Sequence, residues 1–150
     1  MNGSKRFPAR PRSRRLHHRG AATVALSALL AVAAEAHHSI SAVYDGSQQR
    51  TVEGVVAEFQ FVNPHPFVIV TVTPSGGAPE EWRLEMDNRF ELSGIGMTAD
   101  TLKQGDVVVV TGSAGRTEPR TLYVRQLDRP DDGFRYEQVG SRPRVSSTRR

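Results

Sequence analysis

No cysteine occurs in the 150 residues, so disulfides, thiolate metal sites and cysteine nucleophiles are excluded and stability is left to the packed core. Long apolar runs are missing too. The one uncharged apolar stretch, residues 21–34, falls short of the roughly 18 to 20 residues that a membrane-crossing helix needs. Catalytic signatures are equally scarce. No glycine elbow surrounds Ser39 or Ser41, and no phosphate-cradling or dinucleotide-binding glycine motif is present. No internal repeat is visible, and no residue pattern indicates an enzyme.

What stands at the start is an ordered set of export features. A basic stretch from Lys5 to Arg19 precedes the apolar run, which ends on small residues at Ala34 and Ala36. This pattern predicts a signal peptide over 1–36, cleaved after Ala36, and an exported protein, periplasmic or secreted. Membrane attachment is then expected only through the uncleaved signal. Arg14-Arg15 hints at the twin-arginine route, although His17 and His18 occupy positions where hydrophobic residues usually follow.

Cleavage would reverse the charge. Residues 1–36 hold seven of the 20 bases and one of the 16 acids, so the remainder carries 13 bases against 15 acids. The pI near 10.1 therefore belongs mostly to the leader. Nucleic acid is not the expected partner, because single-strand binders present basic grooves with exposed aromatics.

The remaining 114 residues suit one domain. A leader over 37–50 precedes a β-rich body over 51–137, and a basic tail over 138–150 is expected to be disordered. Strand patterns cover Thr51–Phe61, Phe67–Thr73, Glu81–Met86, Val107–Thr111 and Tyr123–Leu127, with a short one around Phe134–Tyr136. Alternation breaks between Gly54 and Val56, where a bulge would restore it. The run Val107–Val110 reads as a strand buried on both faces or inside a barrel. Asn88 is placed to cap a short helical turn carrying Phe90 and Leu92. This order predicts a mainly β fold: a small OB-like Greek-key barrel of five to six strands with one short helix.

The motifs Ala36-His37-His38-Ser39, Tyr44-Asp45, Asn63-Pro64-His65, Trp82 with Glu85, and Leu102-Lys103-Gln104-Gly105-Asp106 recur in order along the chain. With Gly54 and its following strand, they resemble a family of small exported bacterial proteins of unknown function, from His37 to about Arg125. Met97 departs from that pattern, which tends to have an aromatic residue after the glycine. The resemblance implies an exported β-domain and no established activity.

All three histidines beyond Ala36 lie in two of these motifs. After cleavage His37 would supply a terminal amine, easier to deprotonate than a lysine, together with its imidazole. His65 is presented by the Asn63-Pro64-His65-Pro66 loop, whose prolines bias Asn63 and His65 toward extended backbone. Joined, His37, His38 and His65 form a nitrogen set suited to Cu(II). Zn(II) would need a fourth group, for which Glu85, Asp45 or water could serve. Calcium prefers oxygen ligands and is not expected here.

Each feature has a plainer reading. Paired histidines after a cleavage site can be an idle leader, and His65 can be hydrogen-bonded within a tight turn. Trp82 reads as a core or rim aromatic, and Asp45, Asp87 and Asp106 as turn and cap residues. The rival function is a metal-free module that uses Asn63, Pro64 and Pro66 to bind a small ligand or an envelope partner.

Overall fold

The computed structural model describes residues 39–140 and 142–148. The expected signal peptide, His37 and His38 lie outside them. After a helical turn, α1 (Ile40–Val43), come β1 (Tyr44–Gln60), β2 (Phe67–Val72), β3 (Glu80–Glu85) and α2 (Arg89–Gly94), then β4 (Val107–Gly115), β5 (Thr121–Arg129), β6 (Phe134–Val139) and β7 (Arg142–Ser147). Strand β1 pairs with β4 along its first part and with β2 along its last, β2 pairs with β3, and β4 with β5. A short parallel pairing of Arg83–Glu85 with Thr121–Tyr123 closes the ring β1-β2-β3-β5-β4. Five strands in that ring, with a helix between the third and fourth, make the OB-like barrel.

Closure depends on two places where backbone meets backbone. A Cβ on Gly54 would lie 2.5 Å from the Thr71 carbonyl oxygen, and one on Gly112 would lie 2.5 Å from that of Tyr123. Glycine removes the obstruction and lets β2 and β5 fold across. The bulge expected at Gly54–Val56 falls slightly later, where the register slips between Val56 and Glu58. Gly54 itself stays in register opposite Val108.

The valine run alternates: Val108 and Val110 are fully buried while Val107 and Val109 face outward. A barrel strand needs only one apolar face. Val56, Val68, Val70, Leu84, Leu122 and Val124 fill the same interior. Helix α2 plugs one end with Leu92, and Met97 and Leu102 follow it into the core. Asn88 caps that helix by accepting from the Glu91 amide at 2.9 Å. Phe90, on the other face, stays 87% exposed.

The structure corrects both ends of the predicted domain. The segment read as a leader contains α1 and the start of β1, with Tyr44 buried and Asp45 paired to β4. The segment read as a disordered tail contributes β7, which pairs with β6 from Phe134↔Ser147 to Val139↔Arg142. Composition misled there. Val145 packs on the core, and Arg144 Nε donates to Glu137 at 2.7 Å, so a few contacts anchor a polar strand on a ready edge.

Candidate functional site

His65 lies between two pinned residues. The Met86 amide donates to the Pro66 carbonyl and the Arg89 amide to the Pro64 carbonyl, both at 2.9 Å, tying the β1–β2 loop to the end of β3 and the start of α2. The Asn63-Pro64 bond is cis. His65 Nδ1 is 3.0 Å from the Met86 carbonyl oxygen and 3.6 Å from Glu85 Oε1. A carbonyl can only accept, so Nδ1 carries the proton and donates, and the neutral ring keeps its lone pair on Nε2. Among the described residues Nε2 has no hydrogen-bond partner, and the side chain is 29% exposed.

Glu85 is the second member of the cluster. Its Oε2 accepts from the Tyr44 hydroxyl at 2.7 Å, and its side chain is 16% exposed. As the period of a strand requires, it stands on the face opposite Trp82 and Leu84. Asp45 does not join it. That carboxylate accepts from the Ser47 amide and hydroxyl and from Arg116 Nη1, and the Ser47 bonds, with Arg116 behind them, hold its pKa below the ordinary value. Among the described residues no three histidine, cysteine, aspartate or glutamate side chains are grouped to hold a metal ion.

Beside this cluster lies a buried network that the sequence did not disclose. Asp87 is 5% exposed and accepts from the hydroxyls of Tyr123 and Tyr136 and from Gln138 Nε2. Gln138 in turn accepts from Arg125, which reaches Ser113, and Gln49 donates to the same serine. The Tyr44 and Tyr123 rings, with centroids 5.7 Å apart, join the network to the Glu85 cluster. Burial pushes all three phenols well above the ordinary tyrosine value of 10.0, and acceptance by Glu85 or Asp87 adds to the shift. Asp87 follows Met86 directly, so its clamp also steadies the carbonyl that fixes the His65 ring. Adjacent Asn88 explained Asp87 as part of a helix start, and its partners are 36 to 51 residues away.

Residues 25–122 match the profile of a family of unknown function, DUF6152. The chain belongs to that family. The expectation of a family without an established activity holds, and its match ends before Tyr123, Tyr136 and Gln138. No curated protein matches the sequence. Among solved structures, the chain is similar to the mitochondrial single-stranded DNA binding protein Rim1 of S. cerevisiae. The identity is 13% and the TM-score 0.42, over 54% of this chain and 91% of that one. It is also similar to a chain of the complex of TiaS with a transfer RNA and ATP, at 14% identity and TM-score 0.41, over 71% of this chain and 30% of that one. At such values the likeness carries no inference about ligands.

Proposed function

We propose that the protein is an exported metal-binding domain, with Cu(II) the favoured ion and Zn(II) the lesser one, held by His65 together with the terminal histidines His37 and His38. The observation that carries this reading is the fixed tautomer of His65. Histidines that ligate metals characteristically donate their other ring N–H to a carbonyl or carboxylate, as Nδ1 does to Met86. Because the described residues offer no three-ligand group, the reading requires donors from the segment before Ser39. In sequence, five residues separate His38 from Tyr44, whose hydroxyl is bound to Glu85.

Cleavage after Ala36 would give His37 the free amine that completes a chelate with its own imidazole. Glu85 Oε1, 3.6 Å from Nδ1, stands beside the protonated edge of the His65 ring, where it would steady the ring. The test is calorimetric titration of the correctly processed protein with Cu(II) and Zn(II). One ion should bind per chain, and His37→Ala or His65→Ala should weaken binding by about tenfold or more. No stoichiometric binding, or unchanged binding in both variants, would refute the reading.

A metal-free interaction module is the second reading, and exposed Phe90 favours it. Phe90 lines a cavity of about 180 Å³ with Asn63, Arg89 and Ser93, beside the Pro64–Pro66 loop. That surface would receive an envelope partner or small ligand. Nucleic acid is not favoured, given the acid excess beyond Ala36. On this reading the protein purifies without metal and is indifferent to chelators, and Phe90→Ala abolishes partner capture.

A further inference from the structure

We propose that a second site, the cavity between the β4–β5 loop and β3, binds a small oxyanion, a carboxylate or a phosphate. The cavity holds about 630 Å³, within the range of ligand pockets. Arg50, Arg116 and Arg120 line it together with Trp82, against two acids, Glu80 and Glu118. Of the three, Arg50 alone has no ion-pair partner among the described residues; Arg116 is paired with Asp45 at 3.3 Å, and Arg120 Nη1 is 3.9 Å from Glu80, beyond hydrogen-bond length. Arg116 is aimed by its bonds to the Ser41 carbonyl through Nε and to Asp45 through Nη1. Its Nη2 edge has no partner among the described residues. A planar guanidinium held in this way matches the paired oxygens of a carboxylate or phosphate.

One backbone feature points to the same cavity. Arg120 is the one non-glycine residue at positive φ among the described residues, at 57°. Its carbonyl accepts from the Arg83 amide at 3.0 Å, which locks the loop to β3. Strain kept at a ligand-sized cavity, where the side chain is a cation, fits a binding role better than a structural one.

Trp82 is the sole tryptophan and lines this cavity, so its fluorescence reports on it. Titrating the purified protein with inorganic phosphate and with succinate should give a saturable change for at least one, and the stronger response tells phosphate from carboxylate. Arg50→Gln and Arg120→Gly should each raise the dissociation constant about tenfold or more, the loss of a charge-assisted bond. Glycine at 120 keeps the positive φ, so the guanidinium is removed without refolding the loop. No saturable response to either anion, an equal response to neutral glycerol, or unchanged constants in both variants would overturn the proposal.

Discussion

Asp87 gathers three donors from two strands onto one buried carboxylate. Replacing it with leucine leaves two phenols and an amide without their acceptor, and should cost about 3 kcal/mol in urea unfolding. The tyrosines yield a prediction in pH. Tyr44, Tyr123 and Tyr136 are the only three in the chain, and all have raised pKa values. The unfolded chain releases phenolic protons near pH 10 while the folded one holds them, so their stabilisation is complete below pH 10 and declines as pH rises above it. Phenolate absorbance should therefore show no step near pH 10 in the native protein, appearing only with unfolding. Three phenols titrating normally in the folded state would contradict the network. Little of this was legible beforehand. His65 and Glu85 were found because their motifs stand out locally, whereas Asp87 depends on partners supplied by strand register, which no local pattern carries.

Strands announce themselves more clearly than side-chain networks. The β-branched runs and turn glycines marked β1 to β5, and Asn88 marked α2, because each signal lies within a few residues of its effect. The bulge was displaced, and β7 was missed, for one physical reason. Both depend on which strand lies alongside, since Gly54 meets β2 and Val145 meets a core it does not build. Gly54→Ala should cost about 1 to 3 kcal/mol by forcing β2 off β1, while Gly46→Ala, with open space around it, should be neutral in the same denaturation assay. Equal effects at the two positions would remove Gly54 from the account of barrel closure.

At the scale of the molecule, the ring of five strands closes without β7. Truncation after Val139 should keep the fold and lower the melting temperature by about 5 °C, as calorimetry would register, because the Val145 contact and the Arg144–Glu137 pair are lost. The barrel thus serves as a frame that holds the β1–β2 loop against β3, and the binding proposals rest on what that frame presents. One is a histidine with a fixed tautomer, the other an arginine-lined cavity. Metal binding at the histidine is the central claim, and native mass spectrometry of the protein purified from its own cells, after exposure to Cu(II), tests it most directly. The account predicts a chain beginning at His37 that carries one copper ion and loses it in His65→Ala. A chain beginning at His37 that stays metal-free at saturating copper would contradict it.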